Sequence, residues 1–201
     1  MKRHAPAAER NRRAILDAVG PRLGPSGRLL EVASGTGQHA AAFAVHLPGW
    51  TILPTEIDPA GLASIEAHRA ESTAGNLEAA RSLDVTARPW PVDGPIDAVF
   101  NANMVHISGP ETLPALLGGA AEVLRPSGVL FVYGPFLVDG RPTTDSNRDF
   151  DQSLRSRDPR WGLRDLAEVD RIATACGLRR TETLRMPANN FLLVLHREAA
   201  P

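Results

Sequence analysis

The feature that most constrains the chain is a short apolar run, Leu29 to Ala33, broken by Gly35 and Gly37 and followed by an Ala-rich segment to Leu47. A buried strand that turns through glycines straight into a helix is the opening of a strand–helix–strand unit, which commits the chain to a parallel sheet covered by helices. The rest of the sequence keeps that alternation. Residues 6–20 read as a helix with Ile15, Leu16 and Val19 on one face, ended by Pro21, Pro25 and Gly27. Thr51 to Glu56 is the next strand, and Asp58-Pro59 opens a helix to about Glu71, Asp as cap and Pro at the first helical position. Strands are expected over Arg81 to Val85, Ile96 to Ala102 and Val129 to Tyr133, with a helix from about Pro110 to Leu124 between the last two. Ser146 with Asp149 resembles a capping box for a short helix to about Arg157, and a helix from Asp165 to Cys176 stops at Gly177. Residues 178–186 and Phe191 to His196 are spaced as a hairpin. With no linker or repeat, residues 1–201 are expected to form a single domain, and 136–162 an insertion over the active face.

Composition removes whole mechanisms. Of 22 basic residues, 21 are Arg, and the only lysine is Lys2. An internal Schiff base, a P-loop GK[ST], a Ser-Lys nucleophile and a Tyr-x-x-x-Lys dehydrogenase pair are therefore excluded. The lone Cys176 allows neither an internal disulfide nor a Cys-based zinc site, and no metal site is expected. A net charge of −1 gives no electrostatic reason to expect nucleic acid as a partner. No apolar stretch is long enough to span a membrane, and the charged N-terminus lacks the apolar segment of a secretory signal, so a cytoplasmic setting is expected.

Ligands of open α/β sheets sit at the carboxyl ends of the strands where strand order reverses. Taken literally, Gly35-x-Gly37-x-x-Ala40 fits a dinucleotide turn. Glu31, four residues before Gly35, suits an ammonium group better than a pyrophosphate. Glu56, ending the second strand 19 residues after Gly37, can accept both hydrogen bonds of a ribose diol. Asp84 can accept from an adenine amino group while Val85 packs near the ring. An amino-acid end, a ribose and an adenine together describe S-adenosylmethionine.

At these residues the sequence resembles class I S-adenosylmethionine-dependent methyltransferases, and more narrowly a little-characterised methyltransferase-like family. The segments that carry the likeness are PAAERNRRAIL (6–16), LLEVASGTGQHAAAFA (29–44), PTEIDP (54–59), LDVT (83–86), FNANMVHIS (100–108), VYGPF (132–136), GRPT (140–143), SNRDFDQSLRSRDPRWGLRD (146–165) and MPANN (186–190). The resemblance implies a Rossmann-like three-layer α/β sandwich with a mostly parallel seven-stranded sheet and an antiparallel terminal strand. It also implies that Glu31, Ser34, Gly35 and Gly37 cradle the methionine part, that Glu56 holds the ribose, and that Asp84 and Val85 hold the adenine. Asn101 would close the amino-acid side, and Arg10 and Asn11 would fold over the cofactor. Ala33 stands where the broad class has its first glycine.

The implied reaction is in-line methyl transfer to an unidentified acceptor, expected to be a small molecule. Positioning can supply roughly 7–11 kcal/mol of such acceleration, so no single residue is demanded by the chemistry. His106 is the candidate base, at the expected mouth of the site, or else a histidine that bonds the loop backbone. Asn103 could orient the acceptor or cap the turn, and Tyr133, the only tyrosine, could face the substrate or pack in the core. Arg141, Asn147 and Asn190 lie in matching segments that could reach the same pocket, Arg141 with an acidic substrate in mind. Two alternatives stay open: a non-catalytic S-adenosylmethionine-binding protein, and an NAD(P)-binding oxidoreductase, the latter weakened by Glu31 and by the missing Tyr-x-x-x-Lys pair.

Overall fold

The structure, a computed structural model, describes residues 1–198. The helix α1 (Pro6–Val19) buries Ile15, Leu16 and Val19 along one stripe. It is followed by β1 (Gly27–Val32), α2 (Gln38–His46), β2 (Trp50–Glu56) and α3 (Pro59–Glu71). Next come β3 (Arg81–Ser82), β4 (Ile96–Ala102), α4 (Thr112–Val123) and β5 (Leu124–Gly134). A two-stranded ribbon, β6 (Leu137–Val138) and β7 (Arg141–Pro142), leads into α5 (Asp145–Arg157), α6 (Leu166–Ala175), β8 (Leu178–Met186) and β9 (Asn190–Arg197). The α3 start follows its sequence signal: the Asp58 carboxylate accepts from the Ala60 and Gly61 amides with Pro59 just inside the helix.

Seven strands form one sheet in the order β3-β2-β1-β4-β5-β9-β8. The first five of these pair in parallel, and β9 runs antiparallel to both β5 and β8. The chain winds outward from β1 to β3 and returns to place β4 beside β1, so strand order reverses between β1 and β4. The terminal hairpin occupies the opposite edge with its second strand one place in. Burial explains that order: Phe191 to Leu195 of β9 are all buried, whereas β8 carries Arg179, Arg180, Glu182 and Arg185, suited to an exposed edge.

Alternation along the strands feeds two cores. Leu30, Val99, Leu130, Val132 and Leu193 face one side with α4 and α6, while Leu29, Phe100, Phe131 and Val194 face the other with α1 and α2. This is the three-layer, Rossmann-like arrangement. No helix among the described residues is long and apolar enough to cross a membrane.

Three expectations need correcting. The strand expected over 81–85 pairs only at Arg81 and Ser82, because Asp84 turns the chain by accepting from the Thr86 amide and hydroxyl. β5 starts at Leu124, earlier than expected, and absorbs the Pro126-Ser127-Gly128 turn as an irregularity in its pairing with β4. The cap of α5 is Thr144, whose hydroxyl accepts from the Asn147 amide, and Ser146 lies inside the helix.

Candidate functional site

At the reversal between β1 and β4 the chain opens a cavity of about 490 Å³, a size usual for small-molecule sites. Its floor is the glycine turn. Ser34, Gly35 and Thr36 line it on one side, and Ala102, Asn103 and Met104 on the other. Ala33, at the position where the broad class has glycine, takes a left-handed φ of 57°, a conformation an L side chain resists. Gly37 has φ 87° and caps α2, and a Cβ there would lie 2.9 Å from Ile65 Cα. Only glycine lets the turn both reverse and pack on α3.

Glu56 locks this turn. Its Oε2 accepts from the Gly35 amide at 2.7 Å, and its Oε1 accepts from the amides of Ile57 at 2.8 Å and Asp58 at 3.1 Å. A carboxylate offers about four acceptor positions. Three are taken by the backbone, so one is left on Oε2 for a ligand. The sequence expectation of two bonds to a diol is therefore reduced to one full-strength bond. Asp84 and Val85 lie across the cavity with Leu83. The Thr86 hydroxyl and amide hold the Asp84 carboxyl below its usual range, so it stays an acceptor.

Several named residues sit behind the wall. Glu31 is 2 % exposed and is not among the residues lining this cavity; burial pushes its carboxyl up to about 8, and its Oε2 has no partner. Its Oε1 lies 3.8 Å from His39 Nδ1, and His39 Nε2 donates to Asn11 Oδ1 at 2.8 Å. Burial takes His39 down to about 4, so the ring is neutral and turns a lone pair toward a protonated Glu31. Asn101 is likewise absent from the lining of this cavity: it is fully buried, its amide donates to the Val32 carbonyl at 2.9 Å, and its Oδ1 is unpartnered. Gly37 is likewise a packing residue and no part of the wall.

A second cavity, about 750 Å³, adjoins the first. Ala7, Asn11, Asn103 and Ile107 line both. Asn103 sits at φ 62°, its amide donating to the Tyr133 carbonyl at 2.9 Å, which holds the dividing wall against β5. Tyr133 lines the larger cavity; burial raises its phenol and the Asn11 side chain opposes that rise. The opposite wall is one face of α5, with Ser146, Asn147, Phe150 and Arg157 spaced to meet on one side of a helix. Asn147 clamps that helix to the Pro187–Asn189 turn, donating to the Asn189 carbonyl and the Thr143 hydroxyl at 3.0 Å each.

The structure corrects three site expectations. His106 is not at a mouth: its ring is fully buried, stacked edge-on against Phe136, and lines neither cavity. Burial, with Arg164 nearby, takes it down to about 3, and both ring nitrogens lack partners. Arg141 lies exposed on the β6–β7 ribbon and lines neither cavity. Arg10 lines the larger cavity and not the smaller one. Met104, Ile107, Ser108 and Thr112 line the smaller cavity and Phe150, Arg157 and Asn189 the larger without having been singled out. The helical spacing of Asn147, Phe150, Leu154 and Arg157 was the available signal, masked by the many arginines around it. Among the described residues no group of three His, Cys, Asp or Glu could hold a metal ion.

A family described as protein of unknown function (DUF938) matches residues 2–197. Among solved structures, human N-acetylserotonin methyltransferase in complex with SAM superposes with a TM-score of 0.80 at 16% identity, over 96% of this chain and 53% of that one. CalO1, a methyltransferase in calicheamicin biosynthesis in its SAH-bound form, gives 0.77 at 18%, over 96% and 54%. A sarcosine dimethylglycine methyltransferase (so described provisionally) from Galdieria sulphuraria gives 0.77 at 14%, over 96% and 87%. The chain spans about half the length of several of these matches. At such identities the likeness is one of fold.

Proposed function

We propose that this chain, which belongs to the family described as protein of unknown function (DUF938), is a methyltransferase that takes S-adenosylmethionine in the smaller cavity and a small-molecule acceptor in the larger. The observation that carries this is the pair of cavities meeting at Asn11 and Asn103, beside the strand-order reversal. The residues fit the cofactor. Glu56 keeps one acceptor position for a ribose hydroxyl, Asp84 is an acceptor for an adenine amino group, and Leu83, Val85 and Met104 supply an apolar slot. Ser34 and the Gly35 turn face the same space.

When bound, S-adenosylmethionine would supply an electrophilic methyl group for transfer to an acceptor lone pair, with the sulfur as leaving group and any acceptor proton passing to solvent. The chain's part is positioning. Asn103, fixed by Tyr133, and Asn11, fixed by His39, form the wall across which acceptor and methyl donor must meet. Ala7 and Ile107 complete that wall with apolar surface. Of the candidate catalytic residues His106, Asn103, Tyr133 and Arg141, Asn103 and Tyr133 line the acceptor cavity. The same reading takes the whole chain as one unit, with the 136–162 segment walling the acceptor side through α5.

Thermal denaturation tests it. A ligand at 100 times its Kd stabilises by about 2.7 kcal/mol, a rise of roughly 5–10 °C for a chain of this size. S-adenosylmethionine and S-adenosylhomocysteine should both produce it and NAD(P) should not. The reverse pattern would sink the proposal.

A further inference from the structure

We propose that the acceptor carries an anionic oxygen group, a carboxylate or a phosphate ester, held in the larger cavity by Arg10 and Arg157. This rests on the methyl-transfer reading of the adjoining cavity. Among the described residues, fourteen of the 21 arginines have a carboxylate within 4 Å. Among the described residues the two that line this cavity have none, and no Asp or Glu lines it. Both are solvent-exposed, and together they give the rim of this cavity a positive charge that no acid in its lining neutralises, which favours an anion there.

Arg157 is held ready. Its Nε donates to the Ser153 carbonyl at 3.3 Å and its guanidinium lies 5.5 Å from the Trp161 ring centre, so the terminal nitrogens are spare. A guanidinium offers paired donors that match carboxylate and phosphate oxygens. The side-chain nitrogens of Asn147, Asn189 and Asn190 are bonded within the protein, and Asn11 gives its oxygen to His39 and its NH₂ to the Tyr133 phenol, so the cationic donors of this cavity are the two guanidinium groups. Pro135, Phe150 and Pro187 supply apolar surface between them, enough for a ring or short chain that carries the anion at one end and the methylated atom at the other.

Matched probes on the full chain test this by calorimetry, with and without S-adenosylhomocysteine: 4-hydroxybenzoate against 4-hydroxybenzamide, and phenyl phosphate against phenol. At least one anion should bind about tenfold tighter than its neutral partner. Arg157→Gln should remove that preference, Arg157→Lys should keep part of it, and S-adenosylhomocysteine affinity should stay within about threefold in both. The carboxylate and phosphate pairs show which anion is preferred. Equal binding within both pairs, no anion binding below about 10 mM, or an unchanged preference in Arg157→Gln would overturn the inference. Arg10→Gln separates the cation's two possible clients. Loss of anion binding supports the proposal; loss of S-adenosylhomocysteine with anion binding intact gives Arg10 to the methionine carboxylate and overturns the two-arginine site. If S-adenosylhomocysteine fails to bind the wild type while the anion preference persists, the methyl-transfer reading falls and the anion site stands.

Discussion

Glu56→Gln separates two jobs that one carboxylate performs. In the structure Glu56 takes three backbone amides and has one acceptor position left. A glutamine keeps one oxygen. Placed on the Ile57 and Asp58 amides, it turns its NH₂ toward Gly35, where a donor now faces a donor. The lost charged hydrogen bond costs about 1.5–3 kcal/mol of stability. The ribose hydroxyl loses its anionic acceptor as well, by a similar amount, which is about a 10- to 100-fold fall in affinity. Urea denaturation reads the first effect, and calorimetry with S-adenosylhomocysteine and its 2′-deoxy analogue reads the second. Wild type should distinguish the two ligands by about tenfold and the variant should not. If Glu56→Gln binds S-adenosylhomocysteine like wild type, or if both proteins respond equally to removal of the hydroxyl, Glu56 only ties the turn and the ribose role is wrong.

Stability should peak near neutral pH. Buried His39 and His106, lowered to about 4 and about 3, each bind a proton on unfolding below about 6.5, so stability falls with acid. Glu31, raised to about 8, stays protonated in the folded chain but ionises on unfolding, so stability also falls between pH 6.5 and 8, by about 2 kcal/mol at 1.36 kcal/mol per pH unit. Denaturation across pH 5 to 9 should show the dome, and Glu31→Gln should flatten its alkaline side; an unchanged alkaline side would mean Glu31 is ionised in the fold. At the turn, Ala33→Gly should gain up to about 1 kcal/mol by relieving a positive φ, while Gly37→Ala should cost at least about 2, combining φ strain with the clash on Ile65. Equal effects at the two positions would contradict the turn geometry. Gly134→Ala would place a Cβ 2.4 Å from His106 Nε2 and should cost about 1–3 kcal/mol in the melting transition; a neutral result would mean His106 is not packed where it stands.

Much of the site was legible because it depends on local pattern. Glu56, Asp84 and the glycine turn stand at strand ends, and strand ends follow from apolar runs broken by glycine, proline and aspartate. What failed did so for one reason: sequence gives a residue's place along an element, not the depth of its side chain. His106 follows β4 as expected, but a 3-10 turn points its ring inward onto Phe136. Arg141 lies in a matching segment, yet the β6–β7 ribbon carries it away from both cavities. Arg157 passed unnoticed, since its value comes from having no acid near it, and that is a relation between distant segments.

By itself, then, the sequence determined the alternation of strands and helices, the glycine turn, and the acids at two strand ends, because those are set by side-chain period and backbone freedom within a few residues. The tertiary structure alone decided that β9 inserts between β5 and β8, that Glu31 and His106 are buried away from the two cavities, and that α1, the β4 loop and α5 together line a second cavity. These depend on which distant surfaces meet, and burial, the quantity that fixes both charge state and access, exists only once they do.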